Sequence, residues 1–392
     1  MRSRTSTARL RRILYVTHRA STSPEEEWCS FLSARGSSVL LLGHPFAYKR
    51  PNSSHLVRFR KGVPGRRIPL FPSLPGAPSM VLYVRDLLLN LFAVPLLLGF
   101  APVDLCISAD PLNTVPLLVW RRLGLIRRIV HYTIDYTPKR FKNPLLNALY
   151  HLLDRRACYG ADRIWTLSPR MMEARSANGV DPAKCAPAVT VPMGADTRRI
   201  RAPKKVPSFR RLVYMGHVRE NQGLEMGLEV FARLRRRFKD LVFEIVGEGD
   251  LRSSLERRAR RLGIDRAVVW HGYQPDHRRL EEILCRGGIG LALYEPSDTT
   301  FTTWADPGKP KVYLACGLPV LITAVPAVAG EIGKARAGAV VPFERDAIVR
   351  VLSVWLKRPA RIRAMRRSAL ALSKRYDWEH IFRKALDDTP LP

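Results

Sequence analysis

The sequence predicts an α/β protein of two successive domains, each a doubly wound parallel sheet with helices on both faces. Three observations carry this expectation. The chain has 392 residues, too many for one ordinary hydrophobic core and suited to two domains of roughly 200 residues each. Short apolar runs alternate with helical patterns in both halves, as strands buried on both faces do. Between the halves, Pro192, Gly194, Pro203 and Pro207 crowd among Arg and Lys with little apolar periodicity, which reads as a linker. The expected boundaries are 1–195 for the first domain, 196–210 for the linker and 211–375 for the second domain.

In the first half, Ile13-Leu14-Tyr15-Val16-Thr17 is a compact β-type run. Ser23-Pro24-Glu25-Glu26 then supplies an N-cap, a proline at the first helical position and a capping-box glutamate. The helix runs through Trp28, Phe31 and Leu32, with Gly36 as its stop. Val39–Leu42 is the second strand, and further strands are expected at Leu105–Ile107, Ile129–Tyr132 and Ile164–Leu167. The pattern restarts after the linker. Strands are expected at Leu212–Met215, Val242–Val246, Val268–Trp270, Ile289–Leu293 and Val320–Ile322, with helices at Leu224–Phe238 and Leu251–Leu262.

Composition limits the function. The 46% hydrophobic content is enough for two cores. Six cysteines, at 29, 106, 158, 185, 285 and 316, are scattered without a C-x-x-C pair, as expected of reduced thiols in a cytosolic protein. Lys and Arg total 66 against 34 Asp and Glu, a formal charge of +32. Three partners answer to such a charge: nucleic acid, an anionic membrane surface, or none beyond solvent. The basic residues are spread along the chain, and the runs at Arg233, Arg235, Arg236, Arg237 and at Arg257, Arg258, Arg260, Arg261 fall on expected helices. That distribution favours a solvated face first and peripheral attraction to an acidic leaflet second; specific nucleic-acid binding ranks last. The apolar run Ile13–Val16 after the basic start is too short for a secretory h-region. Leu87–Phe100, interrupted by Asn90 and Pro95, falls short of the ~20 residues of a spanning helix and reads as buried or interfacial.

Ligands of open α/β sheets bind beyond the carboxyl ends of the strands, which directs attention to four loops of the second half. Gly216-His217-Val218-Arg219-Glu220-Asn221-Gln222-Gly223 follows the opening strand and enters a helix. Gly216 lets a ligand approach the backbone, and the helix start offers unpaired N–H groups. Gly247-Glu248-Gly249-Asp250 follows the next strand, and His271-Gly272-Tyr273 the one after. The fourth is Asp306-Pro307-Gly308-Lys309-Pro310-Lys311, a polar cationic loop leading into Val312-Tyr313-Leu314-Ala315-Cys316-Gly317. Lys309 and Lys311 are placed there either to hold a diphosphate or to be solvated.

Five segments, in this order, resemble group 1, or family 4, glycosyltransferases. Ala161-Asp162-Arg163-Ile164 with Leu167-Ser168 is similar to the family's AD-x-(I/V)…(V/L)S element, and Val191-Pro192-Met193-Gly194-Ala195-Asp196-Thr197 to its (I/V)PNGVDT segment. The loop of the opening donor strand, the Asp306–Val320 stretch and Tyr376-Asp377-Trp378-Glu379 complete the set. The resemblance covers most of the chain. It implies a GT-B architecture of two Rossmann-like domains facing a cleft, with residues 376–392 forming a helix that crosses back to the first domain. It also implies transfer of a glycosyl group from a nucleotide diphosphate sugar, with retention and without a metal or other cofactor, to a glycan or lipid-linked acceptor in cell-surface polysaccharide or glycolipid assembly.

Departures from the family pattern shape the expected site. Arg and Lys commonly neutralise the diphosphate from the first donor loop; those positions hold His217 and Gln222. Two glutamates commonly precede the A-C-G-x-P segment; here Trp304 and Val312 stand there. Arg219, Lys309 and Lys311 are therefore the candidates for the missing positive charge, and Asp306 or Glu295 for the ribose. Gly216, His217, Gln222, Gly247, Glu248, His271 and Gly308 complete the donor side. Glu331 fits either a contact with the donor sugar or the first-turn acid of a helix. On the first domain the resemblance places His131 near the transferred sugar, against a structural histidine as the plain alternative; Asp135 orients an acceptor hydroxyl or caps a turn. No D-x-D, H-E-x-x-H, G-x-S-x-G or Walker A sequence occurs, so metal-dependent transferase, zincin, hydrolase and P-loop chemistries have no foothold. A non-catalytic nucleotide-sugar binder and a GT-B-type epimerase are the competing expectations.

Overall fold

The computed structural model describes residues 10–19, 24–45, 53–71, 74, 76–204, 208–297 and 301–389. The expected cap Ser23 and Pro207 lie outside the described residues. The chain divides into two compact units, one of residues 1–191 with 382–392, the other of Pro192–Ile381.

The first unit holds strands β1 (Arg12–Arg19), β2 (Ser38–Pro45), β3 (His55–Arg60), β4 (Val63–Pro64), β5 (Ile68–Pro69), β6 (Leu105–Ala109), β7 (Ile129–Thr133), β8 (Arg163–Thr166) and β9 (Ala188–Thr190). Its helices are α1 (Glu25–Ala34), α2 (Ser79–Leu88), α3 (Val94–Leu97), α4 (Pro111–Arg122), α5 (Pro144–Gly160) and α6 (Arg170–Ala177). A π-helical turn at Leu89–Ala93 joins α2 to α3. The sheet runs β4-β3-β2-β1-β6-β7-β8-β9, with β5 also on β3. From β2 to β9 it is parallel, whereas β3, β4 and β5 pair antiparallel at one edge. Central strands such as Leu105–Ala109 are buried throughout. On β3 the last four residues alternate buried and exposed, with Arg58 and Arg60 outward, the pattern of an edge strand half open to water. Trp28 stacks on Trp165 and on Phe382, with centroids at 4.7 and 3.9 Å, and Trp165 Nε1 donates to Thr389 Oγ1 at 2.9 Å, so Phe382 and Thr389 help close this core.

The second unit holds β10 (Arg211–Met215), β11 (Val242–Val246), β12 (Val268–Gly272), β13 (Ile289–Ala292), β14 (Val320–Thr323) and β15 (Gly338–Val341) in the order β12-β11-β10-β13-β14-β15. Every pairing is parallel. The helices are α7 (Leu224–Arg235), α8 (Arg252–Arg261), α9 (His277–Cys285), α10 (Lys309–Ala315), α11 (Val328–Lys334), α12 (Arg345–Lys357), α13 (Pro359–Ser373) and α14 (Trp378–Asp387), the last shared with the first unit. Leu228, Phe231, Phe243, Leu352 and Trp355 form one apolar layer and are all nearly inaccessible. The segment expected as linker is tied into this unit: Ala195 N donates to Tyr376 O at 2.8 Å, and Arg199 grips Glu281 at 2.6 Å.

Candidate active site

The second-unit site grows from the carboxyl ends of β10, β11 and β13. β10 and β11 each end in a glycine at φ +137, Gly216 and Gly247. Gly216 N donates to Val246 O at 2.9 Å and Gly247 N to Gly272 O at 2.8 Å. A Cβ on Gly247 would lie 1.9 Å from Gly216 O, so the two turns approach this closely only as glycines. Farther on, Val218 N donates to Glu248 O at 2.9 Å, fixing the 216–223 loop by its backbone.

Helix α10 is set against these turns by Tyr313. Its hydroxyl accepts from Met215 N at 2.7 Å and donates to Leu291 O at 3.3 Å, joining β10 to β13. Gly290 makes room for the ring: a Cβ there would lie 2.6 Å from Tyr313 Cδ2. At the other end, Arg366 donates to the carbonyls of Cys316 and Gly317 at 3.2 and 2.9 Å, satisfying groups that every helix end leaves open. One turn before Tyr313, on the same face of the helix, stands Lys309.

Lys309 is 8% exposed. Its Nζ donates to Gln222 Oε1 at 3.1 Å and lies 3.9 and 5.0 Å from the ring centroids of Tyr214 and Tyr294. No carboxylate pairs with it among the described residues. Burial, and secondarily the charge of Arg219, push its ammonium well below the usual lysine range. The Tyr294 hydroxyl is also buried and lacks a hydrogen-bond partner among the described residues. A buried cation held by one amide and two aromatic faces is costly to keep. Gln222 also lines, with the rest of the 219–222 loop, Asp250, Leu251 and Phe301, an open cavity of about 460 Å³. Gln222 thus belongs to both the cavity wall and the lysine's setting. Arg219, exposed on that wall, sits 5.3 Å over the Phe301 ring.

The remaining donor-side candidates take other places. Lys311 is fully buried and gives its charge to Asp306, with Pro307 O as a second acceptor at 3.0 Å. The other Asp306 oxygen accepts from Met193 N at 3.0 Å. Burial pushes the Asp306 carboxyl up and the Lys311 ammonium down, against their mutual attraction. Lys311, expected to meet a diphosphate or to be solvated, and Asp306, expected with Glu295 as a ribose candidate, satisfy each other and hold the loop. Glu248 is likewise paired, to Arg252 on α8. His271 Nε2 lies 3.3 Å from Glu244 Oε2, and burial with Arg211 and Arg279 nearby lowers its pKa. Glu331 is the first-turn acid of α11, 3.4 Å from Arg375. Gly308 precedes α10 and accepts from Lys311 N at 3.0 Å. His217 is exposed, its carbonyl accepting from the Tyr214 hydroxyl at 2.7 Å. Glu295 is exposed, and its N–H donates to Asn221 O at 3.2 Å, which keeps it beside the 219–222 loop. Val312 packs against the core and Trp304 is half-buried.

In the first unit His131 is fully inaccessible. Its Nδ1 is hydrogen-bonded to Thr114 Oγ1 at 2.8 Å and its Nε2 lies 3.5 Å from Asp154. Arg175 occupies both Asp154 oxygens at 2.8 and 2.7 Å. Burial lowers the His131 pKa, while Arg175 overrides burial to hold the Asp154 carboxyl far below its usual range. Of the two expectations for His131, this setting is that of a structural histidine: it lies in the core within a buried ion-pair network. His131, Asp154 and Cys158 bring possible metal-ligating atoms within 4.8 Å of one another, but the guanidinium already neutralises the carboxylate. Asp135 is more open. Arg140 Nη1 lies 3.2 Å from its carboxylate, and Nη2 lies 3.9 Å from Asp110 at the end of β6. Asp110 holds φ +85, rare for a non-glycine, and its carboxylate accepts from Leu112 N at 2.8 Å.

The sequence reading passed over Asp110, Arg140, Tyr214, Tyr294 and Phe301. Asp110 directly precedes Pro111 after an apolar strand, a cap-plus-proline signal that was available. The aromatic residues read as plain core.

Comparisons with known proteins place the chain by family and fold. Residues 26–194 match the family model of the glycosyl transferase 4-like domain, and residues 209–357 that of the glycosyl transferases group 1. A GDP-mannose-dependent alpha-(1-6)-phosphatidylinositol dimannoside mannosyltransferase of Mycobacterium tuberculosis is 28% identical over 200 residues, 49% of each chain. The chain spans about half the length of the curated relatives it matches. Among solved structures, sucrose-phosphate synthase from Thermosynechococcus elongatus aligns at TM-score 0.74 and 14% identity, covering 96% of this chain and 98% of that one. A trehalose-6-phosphate protein from E. coli, bound with UDP-2-fluoro glucose, aligns at 0.72 and 14%, covering 97% and 99%. Anabaena HepE in complex with UDP aligns at 0.68 and 13%, covering 96% and 99%. The solved structures share the GT-B fold, and with a glycosyltransferase family model on each half the chain belongs to the group 1, or family 4, glycosyltransferases.

Proposed function

We propose that the protein transfers a hexosyl unit from a nucleotide diphosphate sugar, with retention and without a metal ion, to a glycan or lipid-linked acceptor on the cytosolic side of a membrane. The observation that carries this reading is Lys309: a buried ammonium with no carboxylate partner among the described residues, bonded to Gln222, which lines a cavity with Arg219. In glycosyl transfer the departing diphosphate gains negative charge as the sugar becomes oxocarbenium-like. Lys309 and Arg219 stabilise that charge without having to reorganise. Two protein cations then take the neutralising part that a metal takes in other transferases.

Asp135 and Asp110, held by Arg140, are the groups of the first unit suited to orient an acceptor hydroxyl. The mannosyltransferase relative, whose name specifies GDP-mannose and a phosphatidylinositol dimannoside, puts a guanosine donor and a lipid-linked acceptor first among those to try. A thermal-shift screen of UDP-, GDP-, ADP- and dTDP-sugars identifies the donor. Transfer in the presence of EDTA, with the anomeric configuration of the product read by NMR, tests the chemistry. Retention and EDTA resistance are expected; inversion, or loss of activity restored by a divalent cation, contradicts the proposal.

A further inference from the structure

The outward face of α2, the π turn and α3 carries Met80, Val84, Leu88, Phe92 and Leu96, and Phe100 follows in the turn after α3; every one is exposed, with Phe92, Leu96 and Phe100 at 63, 67 and 65%. These are steps of four residues along a segment roughly 30 Å long. In a regular helix that spacing drifts around the axis. The wider turn at Leu89–Ala93 sets the drift back, because its bonds close over five residues instead of four. Pro95 leaves the Leu91 carbonyl without its helical donor, and the Trp120 indole donates to it at 2.8 Å. The irregular turn is thus anchored from α4.

The opposite face fixes the segment to the protein and excludes a spanning role. Met80–Leu97 is apolar enough to cross a membrane, but Asp86 and Asn90 on it are buried. Asp86 pairs with His18 at 3.3 Å and Asn90 bonds His44 at 3.0 Å and Asn113 at 2.8 Å. One side is therefore a polar seam locked into the unit, and the other is a continuous apolar stripe.

Charge identifies what covers the stripe. Between Glu27 and Asp104 the sequence has nine Lys or Arg and a single carboxylate, the buried Asp86. Arg58, Arg60, Lys61, Arg66 and Arg67 cluster on the β3–β5 edge hairpin and its turns, all exposed. The base of that hairpin is tied to α2, Ser54 Oγ donating to Asp86 Oδ1 at 3.4 Å. An apolar stripe next to an almost purely cationic hairpin matches a layer that is apolar inside and anionic at its surface. A second copy of a chain with formal charge +32 would instead meet like charge.

We infer that the α2–α3 stripe and the β3–β5 hairpin form a docking face for an anionic lipid bilayer, with Phe92, Leu96 and Phe100 entering the interface. Its biological sense rests on the lipid-linked acceptor reading above, but its observations are separate from the donor site. The test is sedimentation of the full chain with vesicles of phosphatidylcholine containing 30% phosphatidylglycerol, an amount chosen as about that of an anionic leaflet, and with pure phosphatidylcholine vesicles. Strong binding to the anionic vesicles only is expected. Phe92→Asp with Leu96→Asp, and separately Arg66→Glu with Arg67→Glu, should each weaken it at least about tenfold, since each basic residue near such a surface contributes about fivefold. Circular dichroism and nucleotide-sugar binding, both expected unchanged, show that each variant is folded and report on the donor site independently. Equal binding of wild type and folded variants, no binding by wild type, or a dimer that Phe92→Asp with Leu96→Asp turns into a monomer would overturn the inference.

Discussion

Lys309 Nζ lies 3.1 Å from Gln222 Oε1, so a cation supplied by α10 stands beside the loop position where related enzymes commonly carry their own lysine. On the proposed function, the charge is kept while its place in the sequence has moved.

A charge swap tests this relocation. Lys309→Gln should weaken nucleoside diphosphate affinity about 100-fold, the worth of one or two hydrogen bonds to a charged group. Lys309→Gln combined with Gln222→Lys should recover at least about tenfold of that loss, measured by calorimetry. Equal affinities for the single and double variants would show that the two positions are not interchangeable.

Lys309 also bears on stability. Its folded pKa is depressed, so between that value and the ordinary lysine range the unfolded chain binds more protons than the folded one. Stability then rises with pH across this window. Lys309→Met, which removes the buried charge, should raise the melting temperature of the donor-free protein at neutral pH by about 2–4 °C, corresponding to ~1 kcal/mol. The same variant loses donor-induced stabilisation, which scanning calorimetry with and without nucleotide resolves.

The two glycine turns predict a backbone effect. Gly247→Ala would press a methyl to within 1.9 Å of Gly216 O at a φ that alanine avoids, costing on the order of 3 kcal/mol or moving the loop. Denaturant titration should show the loss, and donor affinity should fall with it.

His131 belongs to a structural network, and Arg175 is its keystone. Arg175→Met leaves the Asp154 carboxylate buried and unpaired, for an expected loss of about 3–5 kcal/mol by chemical denaturation. In the wild type the depressed Asp154 pKa means that its stabilisation is complete above the ordinary carboxylate pKa. It is lost only as pH falls through and below that range, so the acid-unfolding limb of the wild type should be shallower in Arg175→Met.

Much of this was legible in the sequence because apolar runs, glycine turns and loop order are local signals. The strand ends at Gly216 and Gly247 and the stop at Gly317 follow from residue type alone. Lys309 and Lys311 show why the rest was not. They sit two residues apart in the same cationic loop, yet one meets Gln222 and the other Asp306. Only the fold separates them. His131 sits in a strand much as a catalytic histidine would, and the Asp154 and Arg175 that enclose it come from α5 and α6, far away in sequence. The edge hairpin escaped notice because its arginines break the apolar pattern that marks the central strands. Leu87–Phe100, expected to be buried or interfacial, has one face buried and the other exposed.

The most direct test of the account is calorimetric titration of the preferred nucleoside diphosphate into wild type and Lys309→Ala, repeated in buffers of different ionisation enthalpy and at rising pH. An anion that pairs with a lysine of depressed pKa should draw a proton onto it. Wild type should therefore show proton uptake, and affinity declining with pH below the usual lysine range; Lys309→Ala should bind about 100-fold more weakly with no uptake. Equal affinity and equal proton uptake in the two proteins would contradict the assignment of Lys309 as the diphosphate partner.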